Sequence, residues 1–348
     1  MTAVSHSKRR PTIEDLAAAA GVSIATVDRV LNKRHPVRED TTRRVVEAAE
    51  RIGFYAQSLL KQRMTERVPA RTFAYLLQKR DTHYLRLGED LVAATKANAN
   101  IRGKPVLEFI DELAPSLIAE RLREAGKKAD AIAVVAFEHP YISSAIEELA
   151  ARGVPVFALQ SDLTTPARAG YLGFDCRKVG RTAAWAITRL AKRPGKVAIF
   201  IGSHSYTNQE TAEISFRSYV REHAPGFSAL ESVVNFDDPA IAYERANQLI
   251  GAHDDLVGIY MTGGGMAGLI RALREKGRGR EIRAVCNELI PETRSALIDG
   301  VIDLVISHPT PAMARRTVEA MIDALSGPLE DSVRQIQFPA ELYIAENV

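Results

Sequence analysis

The stretch from Thr12 to Asn32 constrains the fold of this chain more than any other, because it predicts two short helices joined by a tight turn. Thr12 can cap the first helix, with an acidic residue three positions later completing a capping box. Gly21 can take the positive φ at which that helix must end. Ser23 can cap a second helix that buries its valines and leucine. The outward face of the second helix carries small and hydrogen-bonding side chains, namely Ile24, Ala25, Asp28, Arg29 and Asn32.

A helix with such an outward face suits the major groove of DNA, whereas the plainer interpretation is a pair of ordinary helices in a small bundle. The stretch resembles the N-terminal DNA-binding domain of the lactose-repressor (LacI) family. The matching residues are Asp15-Leu16-Ala17, Ala20-Gly21-Val22-Ser23, Thr26-Val27, Arg29-Val30-Leu31-Asn32, Val37, Thr41, Arg44-Val45 and Gly53-Phe54. The chain departs from the family at Asp28, where serine is usual. Phosphates repel a carboxylate and the amino group of cytosine attracts one, so phosphate anchoring by Asp28 is not expected.

The resemblance implies specific contacts with DNA. Base contacts fall to Ile24, Ala25 and Arg29. Contacts with phosphate, or contacts that set the register on DNA, fall to Thr12, Ser23, Thr26, Asn32, Arg38, Thr41 and Gln57.

The resemblance also implies a hinge helix over Tyr55–Arg67 that folds on DNA and inserts a leucine into the minor groove. Without gaps, that leucine aligns with Arg63. An arginine can enter a narrow minor groove by its charge, but it does not separate base steps as an apolar wedge does. Arg63 is therefore expected to sense groove width, with Met64 or Leu60 as the alternative wedge.

The distribution of charge agrees with a head that meets a polyanion. Residues 1–71 contain 14 Lys and Arg against 8 Asp and Glu, although the whole chain has a net charge of only +3. The basic head therefore suggests nucleic acid, and the slightly acidic body does not. The N-terminus lacks the apolar core of a secretory signal, and no apolar run is long enough to span a membrane. The two cysteines, Cys176 and Cys286, fit a reducing cytoplasm.

After Arg71, short apolar runs alternate with amphipathic helical segments, which predicts doubly wound parallel sheets. Ten strands are many for one sheet, so two lobes are expected. The predicted strands are Phe73–Leu77, Pro105–Ile110, Ala131–Phe137, Val154–Leu159, Gly170–Phe174, Lys196–Ile201, Leu230–Asn235, Leu256–Met261, Ile282–Cys286 and Asp303–Ser307.

This body resembles the type I periplasmic sugar-binding fold that follows the DNA-binding head in the same family. The expected fold is thus an all-α helix-turn-helix head followed by an α/β body with two doubly wound parallel-sheet lobes. The predicted divisions are a head with hinge (1–66), a linker (67–71) and a body (72–348), the last split into an N-lobe (72–174 and 309–327), a C-lobe (175–308) and a tail (328–348) that recrosses between the lobes.

Ligands of open parallel sheets bind beyond the carboxyl ends of the strands. The polar and aromatic residues at those ends are therefore the candidates for an effector site. They are Gln78, Asp81, His83, Tyr84, Phe137, Glu138, Gln160, Ser161, Asp162, Asp175, Glu210, Thr262, Asn287 and His308.

Sugar-binding relatives often carry arginines where this chain has Gln160-Ser161 and near Glu210. Because guanidinium groups are the usual partners of anions, their loss favours a neutral sugar or polyol. Lys79 or Arg80 would reverse that inference if either points into the cleft.

A rival motif is Gly263–Gly268, which satisfies G-x-G-x-x-G between a predicted strand and helix, with the acidic Glu288 about 20 positions later. It would indicate a nicotinamide-dependent enzyme. The motif lies late in the strand series, however, and the same glycines would let backbone amides approach any ligand in the cleft. No nucleophile elbow, phosphate-binding loop or metal-ligand spacing is present, so no metal site, cofactor or enzyme activity is expected.

These observations predict a cytoplasmic, ligand-responsive transcription regulator, most simply a repressor. It would bind double-stranded operator DNA as a homodimer, because one helix-turn-helix covers only a few base pairs. The helices Tyr84–Ala99 and Met266–Lys276 are the predicted dimer surface. A sugar-binding or transport module without a DNA role is the alternative.

Overall fold

A computed structural model describes residues 11–32, 37–56, 68–78, 82–278, 281–327 and 334–348. The chain divides into an N-terminal unit, up to Ala70 with Ala99–Arg102, and a body that holds the rest. The predicted hinge from residue 57 onward, and the first residue of the predicted linker, lie outside the described residues.

The head contains three helices, α1 (Ile13–Ala20), α2 (Ile24–Asn32) and α3 (Glu39–Ile52). They form because each has an apolar face that the other two can cover. Leu16, Val27, Val45 and Phe54 are almost fully buried in their shared core. The predicted helix-turn-helix is therefore present, and α3 completes it.

The body alternates strands and helices. Its elements are β1 (Ala70–Gln78), α4 (Thr82–Ala97), β2 (Arg102–Ile110), α5 (Pro115–Ala125), β3 (Ala131–Val134), α6 (Pro140–Ala151), β4 (Val156–Leu159), β5 (Gly170–Phe174), α7 (Cys176–Leu190), β6 (Lys196–Ile201), α8 (Thr207–His223), β7 (Ser228–Ala229), β8 (Val233–Val234), α9 (Pro239–Ala252), β9 (Leu256–Met261), α10 (Met266–Glu275), β10 (Arg283–Asn287), α11 (Pro291–Ile298), β11 (Leu304–Ser307), α12 (Thr310–Ser326), β12 (Arg334–Phe338) and β13 (Glu341–Tyr343).

The strands form two sheets, which define the two lobes. The N-lobe sheet has the order β12-β5-β4-β3-β1-β2, and the C-lobe sheet has the order β13-β11-β10-β9-β6-β7, with β8 also paired to β6. The central pairs are parallel, and β13 is antiparallel to β11. The predicted fold class is confirmed.

The segment after α12 supplies a strand to each sheet in turn. β12 pairs with β5 in the N-lobe, and β13 pairs with β11 in the C-lobe. The segment after α12 therefore contributes to both sheets.

The strands are almost continuously apolar because helices cover both faces of each sheet. β3, β4, β9 and β11 are buried throughout. Two of the predicted strands are shortened by three or more residues. The one predicted over Ala131–Phe137 ends at Val134, and the one predicted over Leu230–Asn235 retains only β8. Because the central strands of each sheet are parallel, their carboxyl ends lie at one edge of that sheet. The polar residues that follow each strand therefore lie together at this edge.

Candidate functional site

The head begins with a complete capping box. The Asp15 amide donates to Thr12 Oγ1 at 3.3 Å, and the Thr12 amide donates to Asp15 Oδ2 at 2.8 Å. The helix ends at Gly21, whose φ of +64° and amide bonds to the preceding turn close it. Both features fix the angle between α1 and α2, and therefore the surface that α2 presents.

Helix α2 buries Val27 and Leu31 and turns its other face to solvent. The side chain of Ile24 is 51% exposed, an unusual value for an isoleucine, since a buried site is its ordinary place. Ser23 Oγ accepts a hydrogen bond of 3.2 Å from the Thr26 amide and so caps the helix. The exposed residues of this face include Ala25, Arg29 and Asn32.

Two further side chains of the head, those of Asn32 and Arg44, form hydrogen bonds within it. Asn32 Nδ2 donates to Asp28 Oδ1 at 2.6 Å, so the family departure at Asp28 is paired with its neighbour one turn on. Arg44 Nη2 donates to the carbonyl oxygens of Ala20 and Gly21 at 2.7 and 2.9 Å. Arg44 therefore holds the turn of the motif.

The other predicted DNA contacts are less defined. Arg38 is exposed immediately before α3, and Thr41 is half-buried in its first turn. Gln57 and Arg63 lie outside the described residues.

In the body, a cavity lies between the two lobes at the carboxyl ends of the strands. Eight of the predicted effector residues line it, and these are Gln78, His83, Tyr84, Gln160, Ser161, Thr262, Asn287 and His308. The lining also includes Phe174, Tyr206, Asn208, Gln209, Asp237 and Glu288. None of the described lining residues is a lysine or an arginine.

The lobes touch directly across this cavity. Gln78 Nε2, at the end of β1, donates to the Tyr206 hydroxyl before α8 at 2.7 Å. His83 Nδ1, on α4, lies 3.2 Å from Glu288 Oε2, which follows β10. The described lobes are thus in a closed arrangement, and both close contacts are polar.

Glu288 contacts two histidines of the cavity lining. Its Oε1 lies 2.5 Å from His308 Nδ1, and its Oε2 also accepts from the His308 amide at 3.2 Å. Burial alone would raise the pKa of Glu288, but the imidazoles of His83 and His308 hold it down at about 2. The carboxylate is therefore ionised, and its backbone takes a φ of +67° to reach this position.

The remaining predicted effector residues have other partners. The ring of Phe137 packs edge-on against Tyr206 at 5.6 Å, and Glu138 accepts from Thr164 Oγ1 at 3.0 Å. Asp162 forms an ion pair with Arg168 at 2.7 Å. None of these three predicted residues lines the cavity.

Two more predicted residues lie on helices and also outside the cavity lining. Asp175 caps α7 by accepting from the Lys178 amide at 3.3 Å. Glu210 is exposed in the first turn of α8. Asp81 lies outside the described residues.

The cavity lining includes polar residues that the predicted effector set lacks, among them Tyr206, Gln209 and Asp237. Tyr206 and Gln209 flank the start of α8 and are buried, whereas the chosen Glu210 faces solvent. Asp237 follows β8 with a φ of +55° and accepts from the Gly264 amide at 2.6 Å. Glu288 carries a signal in the sequence, its position directly after β10, and it is also the acidic residue that the rival motif requires.

The glycine run of that rival motif serves close packing. A side chain at Gly263 would collide with Asp237 and Gln209, and one at Gly268 would collide with the Pro239 carbonyl. Glu288, the acidic residue that the motif needs for a ribose, is held by two histidines instead. Close packing therefore accounts for Gly263 and Gly268, and the contacts with two histidines account for Glu288, without a bound dinucleotide.

The fold and these two sites define a class of protein, a helix-turn-helix head joined to a two-lobed ligand-binding body. The family of bacterial regulatory proteins called the lacI family matches residues 12–57, and the periplasmic binding protein domain matches residues 117–329. The chain belongs to the periplasmic binding protein domain family and carries a lacI-family DNA-binding domain at its N-terminus. The resemblance found in the sequence is thereby confirmed.

Curated relatives match the head. The ribose operon repressor of Bacillus subtilis (strain 168) is 47% identical over 55 residues, which are 15% of this chain and 17% of that protein. The HTH-type transcriptional regulator RegA of Clostridium saccharobutylicum is 43% identical over 56 residues, which are 16% of this chain and 17% of that protein. The chain thus spans about a sixth of the length of these relatives.

Solved structures match the body. GanP, a glucose-galactose binding protein from Geobacillus stearothermophilus, superposes with a TM-score of 0.71 at 20% identity, covering 80% of this chain and 99% of that one. An ABC transporter solute binding protein from Agrobacterium vitis, bound with α-D-tagatopyranose, gives 0.72 at 18% identity, covering 79% and 95%. At these identities the likeness establishes the fold of the body.

Proposed function

We propose that this protein is a ligand-responsive transcription regulator that binds operator DNA through α2 and a neutral sugar or polyol between its lobes. One observation carries the proposal: a lacI-family DNA-binding domain and a sugar-binding type of fold are joined in one chain. A purely transport-related module would have no use for the exposed face of α2. No helix in the described part of the chain could cross a membrane.

The mechanism follows from the closed lobes. A ligand that binds between them adds contacts available only when they are closed, so it shifts the population toward that state. If operator affinity differs between the open and closed states, ligand and DNA affinities are coupled reciprocally. We propose repression by a homodimer on a pseudo-palindromic operator, in the cytoplasm, because one recognition helix reads only a half-site.

The neutral character of the effector rests on the cavity lining. Its described residues include the carboxylates of Asp237 and Glu288 and no lysine or arginine. Among the described lining residues, a phosphorylated or carboxylated ligand would therefore meet no lysine or arginine. Lys79 and Arg80 lie outside the described residues. Amide and hydroxyl groups such as those of Asn287 and Thr262 suit sugar hydroxyls.

The test begins with selection of binding sites from a random duplex library by the full chain, followed by anisotropy titration of the selected DNA. Arg29→Ala is compared with Arg43→Ala, which removes another exposed positive charge, this one from α3. We expect Arg29→Ala to lose preference at one position in each half-site and Arg43→Ala to retain it. Equal weakening on all sequences by Arg29→Ala would contradict base recognition.

The effector is then sought by adding neutral sugars and polyols to the complex with DNA. A change in operator affinity with at least one of them is expected, and it should disappear in Asn287→Ala while operator binding persists. A chain that binds DNA but responds to none of these ligands would contradict the proposed effector class.

The second candidate, a nicotinamide-dependent enzyme, predicts that the chain quenches or enhances the fluorescence of the reduced nicotinamide dinucleotide. The packing of Gly263 and Gly268, and the engagement of Glu288, lead us to expect no such change. Saturable binding of the dinucleotide would favour the enzyme instead.

A further inference from the structure

Three side chains of the kind that binds transition metals meet on one wall of the cavity. His83, Glu288 and His308 each offer one atom, and these three atoms all lie within 4.8 Å of one another. Exposure of the three side chains is only 11%, 14% and 5%, so the cluster is largely shielded from solvent. Two imidazoles with one carboxylate form a ligand set that suits zinc and other divalent transition metals.

The distances within this cluster suit an ion after a small movement of one side chain. Two ligands of a tetrahedral zinc ion, each at about 2.0–2.1 Å from it, are about 3.3 Å apart. His83 Nδ1 and Glu288 Oε2 are already 3.2 Å apart. His308 Nδ1 and Glu288 Oε1 are 2.5 Å apart, as in a hydrogen bond, so rotation of the carboxylate by less than about 1 Å opens the space that an ion needs. The ion then replaces the protons on both Nδ1 atoms, as metal binding to imidazole requires.

Partners outside the cluster hold its side chains in position. Gln160 Nε2 lies 2.6 Å from His83 Nε2, and a side-chain amide can present either its nitrogen or its oxygen to that atom. The ring of His308 stacks on Phe174, with centroids 3.5 Å apart and planes 11° apart. Gln160 and Glu288 also take φ values of +61° and +67°, which are uncommon outside glycine and recur at ligand sites. Metal ligands in proteins are usually oriented by contacts of this kind.

An unpaired atom on the same wall is a second, independent sign of a bound group. His308 Nε2 is buried and has no hydrogen-bond partner among the described residues. His308 as a whole is only 6% exposed, and it lines the cavity. Unpaired buried polar atoms are rare in folded proteins, and a bound water molecule or ion commonly accounts for them.

The charge of the cavity favours a cation. Its described lining contains the carboxylates of Asp237 and Glu288 and neither lysine nor arginine. A divalent ion would therefore meet negative charge and no lysine or arginine among these residues.

We propose that His83, Glu288 and His308 together bind one divalent transition-metal ion, with zinc the best match to this ligand set. His83 lies on α4, which follows a strand of the N-lobe sheet, whereas the other two follow strands of the C-lobe sheet. The ion would therefore join the lobes and favour their closed arrangement. Spacing motifs in the sequence do not reveal the site, because its ligands come from three separate segments.

Binding is measured on the full chain, freed of metal with EDTA and dialysed, by calorimetric titration with zinc chloride. We expect one zinc ion per chain, and His83→Asn and Glu288→Gln should each weaken binding about tenfold or more. Gln160→Leu, which removes a partner of a ligand, should also weaken it about tenfold. The matched control is His223→Asn, because His223 lies 3.5 Å from Glu222 on the C-lobe, and this variant should bind zinc as the wild type does.

X-ray absorption at the zinc edge, on the wild-type chain loaded with one equivalent, keeps the test independent of variants that fail to fold. The spectrum should fit two imidazoles per ion, with the nearest atoms at about 2.0–2.1 Å. A chain that binds no zinc, or a spectrum with fewer than two imidazoles, would overturn the proposal. Binding that survives both ligand substitutions would also overturn it, since it would mean an adventitious ion only.

This inference goes beyond the proposed function, and the two can fail separately. The zinc measurements use neither DNA nor sugar, so their failure leaves the proposed regulator standing. A chain that binds zinc at this site and responds to no sugar would refute the sugar effector and retain the metal site.

Discussion

Replacement of Glu288 by glutamine should lower the free energy of unfolding, because the mutant loses the carboxylate that contacts His83 and His308. The pKa of Glu288 lies at about 2, below its ordinary value of 4.5, because His83 and His308 outweigh its burial. At about 1.4 kcal/mol for each pKa unit, the ionised carboxylate contributes roughly 3 kcal/mol to folding. Because the folded pKa is lowered, this contribution is present above pH 4.5 and is lost as the pH falls toward 2.

Urea unfolding of the wild-type chain and of Glu288→Gln at pH 5.5 and 3.5 checks this value. Free histidine is protonated at both pH values, so in the unfolded chain Glu288 is the member of the cluster that titrates between them. We expect Glu288→Gln to be less stable by about 3 kcal/mol at pH 5.5, and the difference to narrow by about 1 kcal/mol at pH 3.5. Glu292→Gln supplies the baseline for loss of an exposed carboxylate.

A difference that stays constant between the two pH values would refute this reasoning. It would mean that the glutamine disturbs packing alone and that the charge of Glu288 contributes nothing. A difference near zero at pH 5.5 would show that the neutral amide replaces every hydrogen bond of the carboxylate.

Three further substitutions test other parts of the molecule. Thr12→Ala should lower the melting temperature of the head in calorimetry through a loss of about 1 kcal/mol, because it removes the cap of α1, and Thr12→Ser should restore it. Arg29→Ala should cost about 1–3 kcal/mol on the preferred DNA sequence in anisotropy titrations. Asn287→Ala should abolish the response of DNA binding to effector, whereas Asp162→Asn should lower stability and leave that response intact. If Asp162→Asn abolished the response of DNA binding to effector, Asp162 would belong to the effector site after all.

The sequence identified the cavity edge because strand ends are visible in apolar patterning. Parallel strands that end together must bring their following residues together, which is how Gln78, Gln160, Thr262, Asn287 and His308 meet. That argument needs only the strand positions and the parallel order. It therefore works for residues directly after a strand.

The same argument fails where a local partner captures the side chain. Asp162 follows β4 as predicted, but Arg168 lies six residues later and takes up its charge. Asp175 follows β5 and caps α7. In a helix, the phase also matters, since one residue turns by about 100° and separates buried Gln209 from exposed Glu210.

The contact between His83 and Glu288 could not be predicted from the sequence. The two residues come from different lobes, and their 3.2 Å contact depends on how the lobes close. No pattern of spacing encodes that distance. The positive φ values of Asp237 and Glu288 are equally invisible, because neither residue type requires them.

The pair formed by Asp28 and Asn32 changes what the head can offer to DNA. The sequence suggests separate roles, a carboxylate that faces a base amino group and an amide that contacts phosphate. In the structure the Asn32 amide donates to Asp28 Oδ1 at 2.6 Å, so each group already occupies part of the other's hydrogen-bonding capacity. The amide also brings a donor beside the carboxylate, which partly offsets the repulsion of Asp28 by phosphates. We therefore expect the two residues to act on DNA as one unit, so that a change at either alters the contact made by the other.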